Sequence, residues 1–376
     1  MSAAVTAPLT TPRGPGTPVA ELEAVLATVA AGAGERDRAA NGLDAALETL
    51  RRHGVLAANA VAGTWRPPAA AELALVRAVA AADSSLGRVL DGHLNAIERL
   101  AVQGPPELAG VELARAARGE LRAGVWGGEP RPGEGEPATV HPGPVGERLS
   151  GVKTFCSGAG LLDRALVLAR VEAGGPPILV WIDLHDTRRV EIDRSWYRSS
   201  GLRASASHRV IFHGAPVIAR VGPPGGISAQ PWFGRDALRT AASWAGMADA
   251  AVEAALDELA DRPGRGGLEE LAAGELLSAR ATITSWLDAV APAMDDPARD
   301  LSAAALQGRV AIAAAARAIL QIAARACGSH PFATGGDLDR VRRDLELFLL
   351  QHRLEPGVRR AGAAALAARR PAEAPC

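Results

Sequence analysis

Two histidines on apolar helix faces are the side chains best suited to acid–base chemistry in this sequence of 376 residues. His93 follows Leu90 by three residues and precedes Ile97 by four, so it shares their helix face. His352 follows Phe348 by four residues on a second apolar face. Imidazole can donate a hydrogen bond or relay a proton near neutral pH. A single inward histidine is more often a packing residue, so the spacing alone leaves both interpretations open.

Other patterns that carry chemistry are missing from the sequence. The eight histidines include no HxxxH pair, and His208 and His213 face opposite sides of a predicted strand, so no metal site is predicted. There is no GxSxG, P-loop or GxGxxG motif, and a nicotinamide cofactor would therefore act through a partner reductase. Three cysteines without a CxxC pair form no disulfide framework, which predicts a cytoplasmic protein.

The charge and hydropathy patterns argue against nucleic-acid binding, a membrane span and a signal peptide. The chain has 41 Lys+Arg against 42 Asp+Glu, without a basic stripe, so nucleic acid is not expected to bind. The most apolar long stretch, 303–327, contains three arginines that would be costly in a bilayer, which predicts a bundle helix rather than a membrane span. The N-terminal segment lacks a basic region followed by an apolar core, so no signal peptide is predicted.

The elements that must position the histidines form three blocks. Residues 19–122 repeat apolar residues at steps of three and four, which predicts helices. From 121 to 221 the period drops to two between Gly/Pro turns, which predicts the short strands of an antiparallel barrel or sandwich. Long helices then return, as in a bundle, at 235–261, 268–291, 301–327 and 336–353.

Three segments resemble the acyl-CoA dehydrogenase superfamily, over roughly residues 19–355. Residues 150–170, SGVKTFCSGAGLLDRALVLAR, resemble its flavin-facing strand–turn–strand. GLRASASHRVIFHGAPV at 201–217 resembles the end of its β-domain, and ACGSHPFATGGDLDRVRRDL at 326–345 resembles its Gly-rich turn and Arg-Asp helix. The resemblance implies an α+β fold in five parts: a disordered tail (1–18), an N-terminal helical domain (19–122), a middle antiparallel β-barrel (123–222), a C-terminal four-helix bundle (230–367) and a tail (368–376).

The same resemblance implies a flavin, FAD or FMN, between the barrel and the bundle. Phe155 takes the place of the aromatic residue that packs near the isoalloxazine ring. Ser157 takes the place of the hydroxyl residue that hydrogen-bonds the flavin near N5, although a plain turn serine is the alternative. The other positions that the resemblance assigns to flavin binding are Trp126, Gly128, Arg262 and Gly328.

The catalytic base of the dehydrogenases is not matched. Their glutamate lies eight residues after the Asp of the Arg-Asp pair, and His352 occupies that position. A second base position in some members corresponds to Asp236, if Gly246 is the conserved glycine of the first bundle helix. Asp236 is also explained as an acid near a helix start that complements the helix dipole.

His93, Ser157 and His352 together resemble the His…Ser…His set of the superfamily's reduced-flavin monooxygenases, the dibenzothiophene monooxygenases and amino-sugar N-oxygenases. The predicted function is therefore a flavin-dependent monooxygenase that oxygenates a small molecule at nitrogen or sulfur, with reduced flavin from a separate reductase. The alternatives are an FAD-dependent acyl thioester α,β-dehydrogenase with Asp236 as its base, and a non-catalytic relative. The family implies a homo-oligomer, a dimer or a homotetramer.

Overall fold

The computed structural model describes residues 19–58, 60, 68–262, 266–351 and 353–369. A helical block comes first, as the apolar periodicity predicts. Its helices are α1 (Val19–Ala31), α2 (Ala33–Ala39), α3 (Leu43–Arg52), α4 (Ala69–Ala82), α5 (Ser84–Gln103) and α6 (Pro106–Ala117). A short 3-10 helix, Val55–Ala57, follows α3. The predicted tail 1–18 lies outside the described residues, as does 370–376 in the second tail.

Asp83 separates α4 from α5, where the apolar pattern runs on without a break. Its backbone is extended (φ −154°, ψ 117°), and its carboxylate accepts a hydrogen bond of 2.9 Å from the Leu86 N–H. Such an N-cap typically contributes about 1 kcal/mol. The two helices approach so closely that a Cβ on Gly87 would lie 2.5 Å from the Ala80 Cα. The long helix α5, which carries His93, then packs against the first strand of the sheet.

The strands of the middle block close into a barrel. They are β1 (Ala123–Trp126), β2 (Thr139–Gly143), β3 (Gly146–Cys156), β4 (Arg164–Val171), β5 (Ile178–Asp183), β6 (Val190–Asp193) and β7 (His208–Arg220). The ring closes because β4 pairs with both β2 and β5, in the order β4–β2–β3–β7–β5. β1 and β6 extend it by pairing with β4 and β7. The predicted α+β fold with a central barrel is confirmed.

The barrel differs from the prediction in two details. β4 pairs in parallel with β1 and β2, whereas the other strand pairs are antiparallel. Parallel neighbours need a long crossover, and the β2–β3 hairpin supplies it between β1 and β4. The sequence also gave no sign of β2, because Pro142 interrupts this short run and proline is unusual inside a sheet.

The last block is helical. It contains the four helices that the periodicity predicts, together with shorter ones. They are α7 (Trp232–Ala260), α8 (Gly267–Met294), α9 (Ser302–Cys327), α10 (His330–Ala333), α11 (Asp337–Gln351) and α12 (Glu355–Ala367). Within the described chain, α9 alone is long and apolar enough to cross a membrane by length and composition. Here it packs along α7 and α8, with Ile312 and Ile319 fully buried, so it is the bundle helix that its arginines predict.

Candidate active site

The end of β3 turns Phe155 outward. The register of β3 against β7 shifts between Lys153 and Cys156, and such a bulge bends a strand and redirects its side chains. Phe155 has φ +53°, a conformation that L-residues rarely adopt, and the residue is 51% exposed. Its ring meets Trp196 edge-on, with centroids 4.9 Å apart and an interplanar angle of 78°. A strained backbone thus presents an aromatic pair at this turn.

Ser157 joins a chain of buried hydroxyl groups beside that pair. Its Oγ lies 2.8 Å from the Ser207 Oγ, which in turn lies 2.8 Å from the Ser205 Oγ. Because a hydroxyl donates one hydrogen bond and accepts two, Ser157 can accept from Ser207 and keep its own proton for a ligand. Sequence reasoning missed Ser205 and Ser207, whose signal is the Ser-Ala-Ser run within 201–217.

Trp126 and Gly128 support the same turn from within. Trp126 is buried, and its indole Nε1 donates a hydrogen bond of 3.1 Å to the Ser157 carbonyl. The Thr154 N–H donates to the Gly128 carbonyl at 3.1 Å, and a Cβ on Gly128 would lie 2.2 Å from the Thr154 oxygen. Trp126 therefore fixes the backbone of Ser157 rather than presenting its ring outward. The fold brings together four of the residues predicted to bind the cofactor: Trp126, Gly128, Phe155 and Ser157.

Both ring nitrogens of His93 are engaged by the main chain. Nδ1 accepts a hydrogen bond of 3.1 Å from the Ala123 N–H, and Nε2 lies 2.8 Å from the Leu56 carbonyl, which the neutral Nε2–H tautomer satisfies. Burial lowers the pKa of His93, which favours this neutral ring. The two bonds tie α5 to β1 and to the 3-10 helix Val55–Ala57. They favour a positioning role over the catalytic role that the sequence predicts.

The second predicted histidine, His352, lies outside the described residues, immediately after the last residue of α11. Near the end of α11, Phe348 and Leu349 are buried. The Phe348 ring meets Trp244 of α7 edge-on, with centroids 6.2 Å apart. α11 is therefore packed against α7 at a residue that precedes His352 by four positions in the sequence.

Asp236, the alternative base, is held by two arginines. Arg99 donates to Oδ2 from Nε and Nη2, at 3.0 and 2.6 Å, and Arg239 Nη1 lies 3.4 Å from Oδ1. Burial raises the pKa of Asp236 to about 7, against the lowering effect of both guanidinium groups. Because both Arg99 bonds go to Oδ2, only Oδ1, 3.4 Å from Arg239, is left to accept a substrate proton without loss of a short hydrogen bond. The arrangement favours a structural role.

Arg99 and Arg239 are part of a buried ionic network that joins α4, α5 and α7. Glu72 of α4 and Glu98 of α5 both pair with Arg239, and Arg235 Nε donates to Glu98 at 2.6 Å. Breaking a buried pair leaves an uncompensated charge and typically costs about 3–5 kcal/mol. The network therefore holds α5, with His93, against the first helix of the bundle.

Arg262 and Gly328 form a second cluster. Arg262 donates from Nη2 to the carbonyl of Cys327, and Gly328, with φ +71°, ends α9. Asp236 and Arg262 lie near opposite ends of α7, a helix about 43 Å long by its rise per residue. Arg262 and Gly328, which the resemblance assigns to flavin binding, thus lie beside each other, near the end of α7 opposite to Asp236.

A closed barrel between two helical blocks, with an aromatic–serine turn at the end of β3, defines the acyl-CoA dehydrogenase fold that the sequence resemblance implied. Dibenzothiophene monooxygenase (TdsC) from Paenibacillus sp. A11-2, solved with FMN and indole, is 22% identical, with a TM-score of 0.78 over 93% of this chain and 97% of its own. Methanesulfinate monooxygenase (MsuC) from Pseudomonas fluorescens is 22% identical, with a TM-score of 0.80 over 95% and 99%.

A third similar structure is KijD3 in complex with FMN and dTDP-3-amino-2,3,6-trideoxy-4-keto-3-methyl-D-glucose. It is 22% identical, with a TM-score of 0.78 over 96% of both chains. No protein-family model matches the chain, and no curated protein matches it in sequence. In the described ranges, no group of three or more His, Cys, Asp or Glu side chains is placed to hold a metal ion.

Proposed function

We propose that this protein is a flavin-dependent oxidoreductase, and within that class a monooxygenase that uses reduced flavin and O2 to oxygenate a small molecule at nitrogen or sulfur. The observation that carries the proposal is the turn at the end of β3, where the outward ring of Phe155 lies two residues from the supported hydroxyl of Ser157. TdsC and MsuC support it as monooxygenases of the same fold, and TdsC and KijD3 support it as FMN complexes.

The residues of this turn fit a planar, hydrogen-bonding ring. Phe155 and Trp196 offer aromatic surface, and Ser157 offers a proton that Ser207 leaves available. Phe155 and Ser157 would hold FAD or FMN, and Trp126 would fix the backbone between them through the Ser157 carbonyl. When bound, reduced flavin supplies two electrons, so that one atom of O2 enters the substrate and the other leaves as water.

The surroundings of Asp236 favour oxygenation over dehydrogenation. An α,β-dehydrogenase needs a base free to take a proton from the substrate. Both oxygens of Asp236 are engaged by Arg99 and Arg239, and the glutamate position of the dehydrogenases is His352. A monooxygenase needs no such carboxylate, and an imidazole can donate or accept the proton that oxygen transfer requires.

The two histidines have different parts in the proposal. His93 is a positioning residue: through the Ala123 N–H it fixes β1, and with it Trp126 and the turn of Ser157. His352 remains the proposed proton donor or acceptor; in sequence it follows Phe348, which packs against Trp244 of the bundle, by four residues. The reduced flavin comes from a separate reductase. Arg262 contacts the flavin of a neighbouring subunit in a cytoplasmic dimer or tetramer, and Gly328 is a further flavin-binding position.

The test begins with the absorbance spectrum of the purified protein, followed by titration with FMN and with FAD. The flavin-loaded protein is then supplied with a flavin reductase, NAD(P)H and isotopically labelled O2, together with a panel of amines, thioethers and sulfinates. We expect flavin binding and one labelled oxygen atom in the product. Failure to bind either flavin would support the non-catalytic alternative. Anaerobic bleaching of bound flavin by straight-chain acyl-CoA, lost in Asp236→Asn, would support the dehydrogenase.

A further inference from the structure

The loop 201–207, which leads into β7, has a left-handed backbone near both of its ends. Leu202 (φ +50°) and Ala206 (φ +47°) flank a 3-10 helix, Arg203–Ser205, although neither residue is a glycine. Residues with a Cβ rarely adopt this conformation, and it persists only where the surrounding structure holds it. The contacts around the loop must therefore determine its path.

Helix α11 supplies the contacts on one side of the loop. The Asp344 carboxylate accepts a hydrogen bond of 2.5 Å at Oδ1 from the Leu202 N–H. A Cβ on Gly201 would lie 2.1 Å from the Arg343 carbonyl oxygen, so only a glycine lets the loop approach the helix backbone this closely. Arg343 also donates from Nη1 to the Ser200 carbonyl. α11 thus contacts three successive residues at the start of the loop.

Asp344 is buried without a cation beside it. The residue is 3% exposed, and no Lys, Arg or His nitrogen of the described residues lies within 4 Å of its oxygens. Its neighbour Arg343, by contrast, pairs with Asp37 and with Asp339, each at 2.8 Å. A buried carboxylate is costly unless hydrogen bonds satisfy it, and a bond from an N–H to a charged acceptor is about twice as strong as a neutral one. The bond to Leu202 is therefore a strong attachment of the loop.

The other side of the loop bonds the turn that follows β3. The Gly158 N–H donates a hydrogen bond of 2.9 Å to the Ser205 carbonyl. Ser207, whose Oγ lies 2.8 Å from that of Ser157, is the last residue of the loop. Hydrogen bonds weaken as their atoms move apart or out of line. The position of the loop against α11 therefore decides whether Ser207 meets the hydroxyl of Ser157.

We propose that Asp344 is a positioning residue for the flavin site: through the Leu202 N–H it holds the loop where Ser207 orients the Ser157 hydroxyl. Asp344 acts through the loop, so its replacement should change flavin affinity only while Ser157 keeps its hydroxyl. The inference rests on the proposed function in naming a flavin as the ligand of Ser157, whereas the contact between α11 and the loop requires no flavin.

The first measurement is amide hydrogen exchange, by mass spectrometry, in the full chain without flavin. Burial raises the pKa of Asp344 to about 6, so at pH 8 the carboxylate is ionised. Asp344→Ala removes the acceptor, whereas Asp344→Asn keeps an oxygen for the Leu202 N–H. We expect Asp344→Ala to speed exchange in 201–207 and in 157–159 about tenfold, as for loss of a hydrogen bond to a charged group. Asp344→Asn should restore most of the protection, and Glu346→Ala, an exposed residue of α11, is the matched control.

The second measurement is FMN binding, by quenching of flavin fluorescence. We expect Asp344→Ala to weaken FMN binding roughly threefold in the wild-type background, because the Ser157 hydroxyl loses its orientation. In the Ser157→Ala background the same substitution should have no further effect, because residues that act through one group are not additive. A residue that merely stabilises the fold would lower the affinity by the same factor in both backgrounds.

Gly201→Ala is the second variant, should Asp344→Ala fail to fold. Its Cβ would meet the Arg343 carbonyl and move the loop away from α11, which should also speed exchange in 157–159. Exchange in 157–159 that matches the wild type in either folded variant would overturn the assignment.

Two further results would also overturn it. The first is exchange that is equally fast in Asp344→Asn and Asp344→Ala, because the bond to Leu202 would then not be the cause. The second is an equal loss of FMN affinity in the wild-type and Ser157→Ala backgrounds. Faster exchange in Asp344→Ala, in a protein that binds neither FMN nor FAD, would contradict the proposed function alone.

Discussion

The Asp236 carboxylate accepts two hydrogen bonds from the Arg99 guanidinium, at 2.6 and 3.0 Å, across 137 positions of the sequence. The pair joins α5 to α7. It also gives a side chain that aligns with a catalytic base a structural partner on another helix. Because burial raises the pKa of this carboxyl to about 7, its contribution to stability depends on pH in a way that can be measured.

The first prediction concerns that pH dependence. Asp236 has a pKa of about 7 in the folded protein and an ordinary value near 3.8 in the unfolded chain. Between those values the folded state binds more protons, so the free energy of unfolding should fall as pH rises from about 4 to about 7, by up to about 1.4 kcal/mol per pH unit. Above pH 7 this contribution should be flat. The measurement is urea unfolding of the wild type and of Asp236→Asn across this range.

Asp236→Asn should lack this component of the slope, so the difference between the two curves isolates the group. Asp288→Asn, an exposed aspartate on α8, is the control and should run parallel to the wild type. Parallel curves for the wild type and Asp236→Asn would show that Asp236 is ionised throughout the range.

A second prediction concerns the hydroxyl chain behind Ser157. Ser157→Ala removes the group proposed to bond the flavin, whereas Ser207→Ala removes only the partner 2.8 Å away that orients it. One hydrogen bond contributes about 0.5–1.5 kcal/mol, so Ser157→Ala should weaken flavin binding roughly three- to tenfold and Ser207→Ala should weaken it less. Quenching of flavin fluorescence measures the dissociation constants, with the exposed Ser278→Ala on α8 as control. A larger effect at Ser207 than at Ser157 would contradict this order.

A third prediction separates the two histidines. His93 bonds the main chain at both ring nitrogens, so His93→Ala should lower the free energy of unfolding by roughly 1–3 kcal/mol. His352→Asn should leave the melting temperature within a few degrees and cut product formation by at least tenfold, as for loss of an acid–base group. Thermal unfolding and product yield per folded molecule are measured together. Normal stability with lost activity in His93→Ala would restore the catalytic role that the sequence predicted.

A fourth prediction concerns Arg309 of α9, whose guanidinium stacks on the Trp244 ring but whose Nε and Nη2 have no hydrogen-bond partner among the described residues. Replacing a buried charge that lacks protein partners with an apolar residue of similar length is often neutral or stabilising. Arg309→Met should therefore melt no earlier than the wild type, although the residue is buried in the bundle. Arg239→Met is the informative comparison, because Arg239 pairs with Glu72 and Glu98 and its loss should destabilise strongly. Equal destabilisation by both substitutions would mean that Arg309 has a structural partner.

The sequence alone determined the features that depend on local patterns. The alternation of periods near 3.6 and 2 fixes the order of helices, strands and helices. Phe155 and Ser157 are two residues apart, so the turn that displays them is encoded in one short segment, and the motifs at 150–170, 201–217 and 326–345 identify the fold. Side chains close together in sequence have few possible relative positions, which makes such features readable without a structure.

Only the tertiary structure decided which partner each side chain meets. His93 shares an apolar stripe with its neighbours, but its hydrogen bonds go to Leu56 and Ala123, 37 and 30 residues away. Asp236 fits both a base and a helix-start acid in sequence, and Arg99 on another helix favours the structural role. Most inward-facing polar residues are paired, but periodicity gives only the direction of the side chain and not its partner. The partner depends on which helices and strands pack together, and long-range packing alone determines that.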